Sequence, residues 1–461
     1  MTAFQWTAQL VTEALKLPRA TWPRSYAGVS TDTRSLREGE LFVALTGERF
    51  DAHEFLGDVR AVGATGAVVR KHTPSWPGFD WFEVDDTLVA LGDLARFRRD
   101  RFTGTVLALS GTVGKTSTKE LLAAALAPLG AVHRSERNLN NLVGVPLTVL
   151  AAPVEARAMV VECGASLRGE IPRMREIVRP DIAIVTAVDA GHLEGFGSME
   201  AVFEEKTALL AGAPLAIVGT HPPELAERAR SMAARLVVAG LDDRADWRAE
   251  DVEIGADGRA RFVVRGVAVE LPVPGRHMVA NALIALAAAD AAGVKLEDAA
   301  VAVREAALPG GRSEIVELRG VTVINDTYNA NPASLRAALD LLHAVRGSRR
   351  AVVVVGTMRE LGTESARLHR EAAERVVEAG PDLIVAIGEF ADAFESQRGR
   401  IGKKKLITGK EPADVADRLR QRLQSGDVML LKASRGVALE RIIPLLWPDA
   451  ARGEGKGEAH G

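Results

Sequence analysis

The sequence predicts an α/β protein of three domains: a small N-terminal α/β domain, a central domain with a P-loop-type, mostly parallel sheet, and a C-terminal Rossmann-like α/β domain. Three observations support this prediction. Short, uninterrupted apolar runs indicate strands that are buried on both faces of a parallel sheet. Segments with helical apolar spacing separate these runs, as in βαβ units. One apolar run leads directly into a glycine-rich turn, which is typical of a phosphate-binding loop.

The composition bounds the class of protein. The chain has 461 residues, enough for about two to four domains. Its 58 basic and 61 acidic residues give a net charge of −3, so we expect no nucleic-acid or membrane partner. No apolar run approaches the ~20 residues of a membrane-spanning helix, and the N-terminus lacks the features of a signal peptide. The single cysteine, Cys163, fits a reducing compartment, so we expect a cytoplasmic protein, and we further expect a monomer.

Residues 1–84 are predicted to form the first domain. Two short apolar runs, at 41–45 and 67–70, indicate buried strands. Residues 85–87 are two aspartates and a threonine that can cap a helix, and residues 88–98 have helical apolar spacing. We therefore place the first domain boundary between residues 84 and 85.

Residues 85–313 are predicted to form the central domain. Apolar runs at 105–110, 159–162, 181–187 and 215–219 indicate parallel strands. A helical segment at 199–211 lies between the last two of these strands and completes a βαβ unit. Residues 252–273 differ, because short β-type runs alternate there with glycine turns, which indicates an antiparallel insert. A helix rich in alanine and leucine is predicted at 279–291.

Residues 314–461 are predicted to form the third domain, after a break at Pro309-Gly310-Gly311. Its predicted strands are 321–325, 351–356, 383–388 and 428–432, with helices between them. The segment after the second of these strands lacks G-x-G-x-x-G, so no bound dinucleotide is expected there. Residues 451–461 are rich in glycine and charge and are expected to be a disordered tail.

The glycine-rich turn follows the strand at 105–110 and precedes a helix-forming run at 120–127. Backbone N–H groups and the positive end of the helix dipole would bind an anion here, so we expect the protein to use ATP. Lys115 would contact the outer phosphates, and Thr116 would offer its hydroxyl to Mg²⁺. The residues predicted to bind the nucleotide here are Gly111, Thr112, Val113, Gly114, Lys115, Thr116 and Ser117.

This loop is shorter than the common G-x-x-x-x-G-K pattern, because Leu109 stands where the first glycine would be. The short spacing disfavours ordinary GTPases and kinases, and the sequence contains no N-K-x-D guanine motif. The alternative interpretation is a glycine-rich turn with an unrelated lysine.

Polar residues follow two predicted strands at the edge where ligands bind in α/β sheets. Glu162 ends the strand at 159–162, and a carboxylate there suits Mg²⁺; the alternative is a surface glutamate without a role. His192 follows the strand at 181–187, and its residue type alone favours a structural histidine. Lys206 lies on the helical segment 199–211, and by itself it indicates a solvated lysine.

Two clusters rich in asparagine are further candidates. Three asparagines, Asn138, Asn140 and Asn141, precede a Gly-x-Pro turn, where they could cap the next helix or bind a polar ligand. Residues 325–332, Asn-Asp-Thr-Tyr-Asn-Ala-Asn-Pro, follow a predicted strand of the third domain. Turn formation explains part of this density of polar groups, and a binding site is the favoured interpretation.

Over nearly its whole length, the chain resembles the Mur ligase family. The family-wide features are the loop 111–116, Glu162, His192, Lys206, the segment 275–281 and Gly311-Arg312. More specific features are the segments 137–147, 191–198 and 326–332. Segments 30–34 and 39–47 resemble a uridine-nucleotide-binding domain, and the D-N-P-R motif of the members that add lysine or diaminopimelate is absent.

The resemblance implies an activity. It implies an ATP-dependent amide ligase that joins D-alanyl-D-alanine to UDP-N-acetylmuramoyl-tripeptide through an acyl phosphate, in the synthesis of peptidoglycan precursors. The first domain would bind the UDP-linked substrate, and the third would bind the incoming dipeptide. The alternatives are another Mur-type ligase, a folylpolyglutamate synthase-like ligase and, from another class, a non-catalytic ATP-binding switch.

The resemblance also implies roles for individual residues. The implied catalytic residues are Lys115, Glu162, His192, Lys206 and Arg312, and the implied ligands of two Mg²⁺ ions are Thr116, Glu162, His192 and Lys206 as a carbamate. Asn281 would face the adenine, Arg312 the γ-phosphate and Asp326 the ribose. The implied substrate-binding residues are Ser30, Asp32, Arg34, Asn138, Asn141, Tyr328, Asn329 and Asn331.

Three positions depart from the family pattern. Met278 stands where an asparagine is usual, which removes one hydrogen bond expected near the adenine. Thr357 replaces an aspartate in a G-D-M-x-E-L-G segment, and Ala433 replaces a glycine in the Lys432-Ala-Ser-Arg435 motif. None of the three is at a predicted phosphate or metal position.

Overall fold

The computed structural model describes residues 2–47, 50–402 and 405–448, and the strands within these ranges form five sheets. Three of these sheets, with four, seven and six strands, are parallel or mostly parallel. The predicted α/β class is therefore confirmed. The tail predicted at 451–461 lies outside the described residues.

The N-terminal region contains a hairpin and a four-stranded parallel sheet. The hairpin pairs β1 (Trp6–Thr7) with β2 (Ser25–Tyr26) in antiparallel fashion. The sheet consists, in spatial order, of β3 (Val29–Ser30), β4 (Leu41–Val43), β5 (Gly66–Arg70) and β6 (Asp80–Val84). The helices of this region are α1 (Ala8–Ala14) and α2 (Leu56–Ala61). The strands predicted at 41–45 and 67–70 are β4 and β5, and both are largely buried.

The central sheet follows α3 (Thr87–Arg99), whose N-cap Asp86 accepts hydrogen bonds from the N–H groups of Leu88 and Val89. Its strands are β7 (Thr105–Ser110), β8 (Val132–Arg134), β9 (Ala158–Glu162), β10 (Ile182–Val185), β11 (Leu215–Val218), β12 (Leu236–Gly240) and β13 (Trp247–Arg248). They are parallel, in the order β13-β12-β11-β10-β7-β9-β8. The helices that follow α3 are α4 (Lys115–Ala125), α5 (Gly144–Leu150), α6 (Glu170–Val178), α7 (Leu193–Phe196), α8 (Met199–Thr207) and α9 (Leu225–Ala229).

The continuous apolar runs form the middle of this sheet because both of its faces are covered. Along β7, Val106 and Ala108 belong to one hydrophobic cluster, whereas Leu107 and Leu109 belong to another. Successive side chains of a strand point to opposite faces, so each face needs an apolar residue at every second position. This arrangement leaves the ends of the strands as the places where polar residues can face a ligand.

The antiparallel insert predicted at 252–273 is present as β14 (Glu250–Ile254), β15 (Arg259–Val264) and β16 (Val267–Pro274). Helices α10 (His277–Ala291) and α11 (Leu296–Ala302) follow it. Helix α10 packs against α4, the helix that begins at the phosphate loop. The helix that follows the insert therefore brings the chain back to the helix of the phosphate loop.

The third sheet contains β17 (Glu314–Leu318), β18 (Val321–Asp326), β19 (Ala351–Gly356), β20 (Leu383–Ile387), β21 (Leu406–Gly409) and β22 (Val428–Lys432). Their order is β17-β18-β22-β19-β20-β21, and all neighbours are parallel except β17 and β18. The helices are α12 (Pro332–Arg346), α13 (Ser365–Glu378), α14 (Glu389–Glu395), α15 (Arg398–Ile401), α16 (Pro412–Arg420) and α17 (Ile442–Leu446). The apolar pattern did not predict β17, because it is an edge strand that carries the exposed carboxylates Glu314 and Glu317.

The helix after the phosphate loop begins earlier than the predicted run at 120–127. Helix α4 starts at Lys115, because Gly114 adopts a left-handed conformation with φ 85° and turns the chain directly into the helix. The divisions after residues 84 and 313 remain proposals. The first falls between β6 and α3, and the second falls directly before β17.

Candidate active site

Two glycines of the phosphate loop are required by close packing. Gly111 and Gly114 have φ values of +141° and +85°, which glycine adopts readily. A Cβ at Gly111 would collide with the Thr186 hydroxyl, and a Cβ at Gly114 would lie 2.5 Å from Asn281 Oδ1. Because α4 starts at Lys115, its positive end and its free N–H groups point to this turn. The geometry is that of an anion-binding loop.

The lysine of the loop lies against the loop's own backbone. Lys115 Nζ donates to the carbonyl oxygens of Gly111, at 2.7 Å, and Thr112, at 3.2 Å. Burial lowers the pKa of Lys115 below its ordinary value. The carbonyl of Val113 accepts a hydrogen bond of 2.6 Å from the Thr186 hydroxyl, so the loop is fastened to the end of β10.

Glu162 lies beside the first turn of α4, where Thr116 and Ser117 are buried. Its Oε1 accepts hydrogen bonds from Asn140 Nδ2, at 2.9 Å, and from the Thr116 hydroxyl, at 3.3 Å. Its Oε2 is buried and has no hydrogen-bond partner among the described residues, with Lys119 Nζ at 3.8 Å. A buried carboxylate oxygen without a hydrogen bond, next to a hydroxyl, fits a Mg²⁺ ligand.

The described parts of the chain contain no group of three or more His, Cys, Asp or Glu residues arranged to hold a metal ion. Mg²⁺ keeps several waters and is commonly bound through one or two protein oxygens plus substrate phosphates. Thr116 and Glu162 therefore fit a nucleotide-bound Mg²⁺ better than a metal held by protein ligands alone.

Lys119 is a residue of the site that the sequence analysis missed. Its side chain is fully buried, and its Nζ donates to Ser135 O at 2.8 Å and lies 3.1 Å from Glu120 Oε1. The Ser135 hydroxyl accepts a hydrogen bond of 3.0 Å from the N–H of Glu162. Lys119 and Ser135 thus support Glu162 from behind. The apolar pattern does not mark Lys119 as buried, because the residues before it on α4, Thr116, Ser117 and Thr118, are polar and are buried as well.

The asparagine cluster divides into different structural roles. Asn140, which was not among the predicted substrate-binding residues, is the residue that contacts Glu162. Asn141 Oδ1 accepts hydrogen bonds from the N–H groups of Val143, at 3.2 Å, and Gly144, at 2.8 Å, so it caps α5. Asn138 is exposed. The substrate-binding roles of Asn138 and Asn141 remain predictions.

His192 lies at the predicted sheet edge, after β10, at the start of α7. It has a left-handed backbone conformation with φ 54°. Its Nδ1 is 2.6 Å from Oε2 of Glu360, which lies in the segment after β19, and 3.4 Å from the Ser166 hydroxyl. The partner of this histidine therefore comes from a distant part of the chain.

Lys206 is buried, contrary to the solvated lysine that its residue type indicated. Its side chain is 1% exposed, its Nζ donates to Ala165 O at 2.7 Å, and it lies 5.0 Å from the centre of the Phe196 ring. Burial, together with the charge of Lys115, lowers the pKa of Lys206 from 10.5 to about 7. A large fraction of this amine is therefore neutral near pH 7.

The segment directly before β17 reaches the phosphate loop through Arg312. Its Nη2 donates to the Thr116 hydroxyl at 3.1 Å. Asp326 lies at the end of β18, where Oδ2 is 2.6 Å from Lys432 Nζ and Oδ1 accepts from the N–H of Ser313 at 3.1 Å. The structure thus joins Arg312 to Thr116 directly, whereas Asp326 contacts Ser313 and Lys432.

The polar segment after β18 leads into α12, and its last asparagine caps that helix. Arg312 stacks on Tyr328, with its Cζ 3.7 Å from the ring centre. Asn331 caps α12 and forms a capping box with Ser334. Asn329 Oδ1 accepts from the N–H of Ala330 at 2.9 Å. Part of this cluster is therefore explained by turn and cap formation, and its substrate-binding role remains a prediction.

Of the candidate residues of the first region, Arg34 is exposed, whereas Ser30 and Asp32 are half-buried. Asp32 accepts hydrogen bonds from the Arg34 side chain at 2.9 and 2.7 Å, and the side chain of Arg34 is 87% exposed. Hydrogen bonding from Arg34 lowers the pKa of Asp32. The Ser30 hydroxyl lies 3.4 Å from the backbone N and O of Asp32. This segment forms a local turn, and its binding role remains a prediction.

The three departures from the family pattern lie close to the site but outside the loop. Met278 is buried, and its sulfur is 3.6 Å from Asn281 Nδ2, so it occupies one of the donors of Asn281. The Thr357 hydroxyl accepts from the N–H of Glu389 at 3.1 Å. The Cβ of Ala433 packs against Gly356.

Comparisons with known proteins agree with this geometry. Family models of the Mur ligase middle domain and of the Mur ligase glutamate ligase domain match residues 109–289 and 311–435. A relative from Bacillus subtilis (strain 168), named UDP-N-acetylmuramoyl-tripeptide–D-alanyl-D-alanine ligase, is 32% identical over 90% of this chain and 92% of its own length. The chain belongs to the Mur ligase family. An Escherichia coli (strain K12) relative of the same name is 35% identical over 91% of this chain and 93% of its own.

Solved structures of Mur ligases extend the similarity to the whole fold. A crystal structure of MurF from Acinetobacter baumannii has a TM-score of 0.87 and 32% identity, and it covers 97% of this chain and 99% of its own. MurF ligase from Thermotoga maritima in complex with ADP has a TM-score of 0.80 and 28% identity, covering 92% and 98%. In the described ranges, no helix has the length and apolar character needed to cross a membrane.

Proposed function

We propose that this Mur ligase joins D-alanyl-D-alanine to UDP-N-acetylmuramoyl-tripeptide, using ATP, in the synthesis of peptidoglycan precursors. The observation that carries the chemistry is the contact of Thr116 with both Glu162 and Arg312 at the phosphate loop. The names of relatives that share about a third of their residues with this chain support the choice of substrates. We also propose that the protein is a cytoplasmic monomer.

The reaction needs two transfers. An oxygen of the tripeptide's terminal carboxylate attacks the γ-phosphorus of ATP, the bond to ADP breaks, and an acyl phosphate forms. The amine of D-alanyl-D-alanine then attacks the acyl carbon and loses a proton, and inorganic phosphate leaves with the former C–O bond electrons. Negative charge moves over the phosphate oxygens in both transfers, so fixed positive groups at the loop accelerate both.

The chain supplies those groups from both sides of the loop. The N–H groups at the start of α4 face the β- and γ-phosphates, and Lys115 exchanges the carbonyls of Gly111 and Thr112 for phosphate oxygens. Arg312 approaches from the segment directly before β17, and stacking on Tyr328 fixes its guanidinium plane. Asn281, behind Gly114, is on the side proposed for the adenine.

Two Mg²⁺ ions are part of the proposal. Thr116 and Glu162 would hold the first ion, and His192 with a carbamylated Lys206 would hold the second. When bound, the ions neutralise charge on the transferring phosphoryl group. The ammonium group of Lys206 first loses a proton, and the neutral amine can then attack CO₂, forming an N–C bond and releasing a second proton. The buried cation thereby becomes an anion. Its pKa of about 7 supports this step.

A substrate-omission assay tests the proposal. Purified protein is given ATP, Mg²⁺, D-alanyl-D-alanine and UDP-N-acetylmuramoyl-tripeptide, with lysine or diaminopimelate as the third residue. We expect phosphate release and the new amide, identified by mass spectrometry, only when both co-substrates are present. Phosphate release at the same rate without them would instead indicate an ATPase or a switch.

A further inference from the structure

The segment after β19 makes polar contacts with the central region beside α7. This segment, residues 357–362, ends near α7, where the carbonyl of Glu360 accepts from the N–H of Glu194 at 3.2 Å. A Cβ on Gly362 would lie 3.1 Å from the Cα of Glu194, so the two backbones approach closely. At this point the Glu360 carboxylate meets His192 Nδ1, at 2.6 Å. The third region of the chain thus presents a carboxylate to a predicted site residue of the central region.

Glu360 is held in place from its own side. The N–H of Met358 donates to His369 Nε2 at 2.9 Å, and the N–H of Arg359 donates to the Ser434 hydroxyl at 2.9 Å. Glu360 itself has a φ of 67°, in the left-handed region that few residues other than glycine adopt. Such a conformation persists only where surrounding contacts fix it, and it commonly marks functional sites.

The contact with Glu360 favours one tautomer of His192. A carboxylate at Nδ1 favours the proton on that nitrogen, which leaves the lone pair of Nε2 available to a ligand. Histidines that bind metals commonly donate their other N–H to a carboxylate in this way, and the partner fixes both tautomer and ring orientation. His192 is also in a left-handed conformation, with φ 54°, so both partners of this pair have unusual backbones.

We propose that Glu360 is a positioning residue of the ligase reaction, which orients His192 and keeps its proton on Nδ1, so that the third region completes the site of the central sheet. This inference rests on the proposed function for its catalytic part. It assigns to Glu360 no contact with substrate. Its effect is exerted through His192 alone.

The test uses the full-length protein and three variants: Glu360→Ala, Glu360→Gln and the matched control Glu364→Ala. Glu364 lies in the same stretch of chain, and its ion pair is local, with Arg367 at 2.7 Å. The readouts are the kcat of the ligase assay, the Mg²⁺ concentration that gives half-maximal rate, thermal unfolding, and ¹⁵N NMR of labelled histidines. The chain has nine histidines, and the His192 signals are identified by their loss in His192→Asn.

We expect wild-type His192 to carry its proton on Nδ1 and Glu360→Ala to lose this preference, with kcat reduced about 10- to 100-fold and a higher Mg²⁺ requirement. Glu360→Gln, which keeps an acceptor oxygen, should be intermediate, and Glu364→Ala should match the wild type. The inference is overturned if Glu360→Ala matches Glu364→Ala. It is also overturned if activity falls with lowered thermal stability while the tautomer of His192 is unchanged. If the wild type makes no product, the proposed function fails, and the tautomer measurement alone decides whether Glu360 sets His192.

Discussion

The phosphate loop and the exposed turn at residues 30–34 are both candidate binding regions, yet they are built in opposite ways. At the loop, Thr116 contacts Glu162 and Arg312, which are distant in sequence, and the carboxylate and hydroxyl are buried. At the turn, Asp32 pairs with Arg34, two residues away, in solvent. The loop is therefore preorganised by the fold, whereas the turn depends on local contacts that water weakens.

Because one region is buried and the other is in contact with solvent, substitutions in the two regions should have different energetic costs. Buried charges that lose a partner cost several kcal/mol, because water cannot replace the lost contact. Exposed pairs contribute about 0–1 kcal/mol. Substitutions at the loop should therefore change catalysis or stability strongly, and those at the turn should change substrate binding with little effect on the fold.

The largest effect is expected for Lys115→Ala. Removing a fixed cation that faces the transferring phosphoryl group should reduce kcat by about 10²–10³-fold or more. The change removes the side-chain donor to the carbonyls of Gly111 and Thr112 but no contact between the central strands and α4, so the fold should persist. Phosphate release and circular dichroism measure the two quantities. Lys410→Ala, at an exposed lysine, is the control, and retained turnover in Lys115→Ala would refute the assignment of the loop.

Lys119→Met should be the most destabilising of these changes. It removes the cation between Glu120 and Glu162 and leaves Ser135 O without its donor, while the volume is nearly preserved. Removing one partner of a buried ion pair costs about 3–5 kcal/mol. Urea denaturation at neutral pH measures this loss. A variant as stable as the wild type would show that the central site is no more tightly built than the exposed turn.

Carbamylation of Lys206 should depend on pH, and the turn at residues 30–34 has no comparable group. Below its pKa of about 7 the lysine is protonated and cannot form a carbamate. Far below this value, each further pH unit lowers the neutral fraction about tenfold. Carbamylation, followed by ¹³C NMR with labelled CO₂, should therefore rise as the pH rises through about 7. Lys206→Ala should lack the signal and the activity, with partial rescue by short carboxylic acids; a signal independent of pH would contradict the assignment.

The smallest effect is expected for Arg34→Ala in the first region. It removes an exposed pair, so the free energy of unfolding should change by no more than about 1 kcal/mol. We expect the KM for the UDP-linked substrate to rise while kcat changes little, because this residue would act in binding alone. Steady-state kinetics with saturating ATP measure the two constants. A fall in kcat at unchanged KM would place the turn in the chemistry and remove the contrast with the loop.

Much of this architecture could be predicted because its causes are local. Continuous apolar runs predicted the bounds of β7 and β9 to within a residue or two, and the spacing of the glycines predicted the phosphate loop. The contacts of Glu162 could not be predicted in the same way. Lys119 and Asn140 reach it only because α4, β9 and the segment before α5 meet in space.

Contacts between distant parts of the chain could not be predicted from local sequence patterns either. Glu360 follows a buried strand, β19, and the pattern around it says nothing of His192, which is far away in the sequence. Asn141 illustrates the opposite case, since an asparagine before a helix was expected either to cap it or to bind a ligand, and it caps α5. Local chemistry predicts caps and loops, whereas pairs between distant elements require the tertiary structure.

The Thr116 hydroxyl has a limited number of bonding positions, and the structure assigns most of them. A hydroxyl has one proton to give and two lone pairs. Its proton goes to Glu162, and Arg312 takes one lone pair. One lone pair is left, so the oxygen can accept a single further bond without giving up either contact. The bonding capacity of one side chain thereby limits how the loop is shared: a nucleotide-bound ion can use Thr116 while Arg312 keeps its contact, but no further group can.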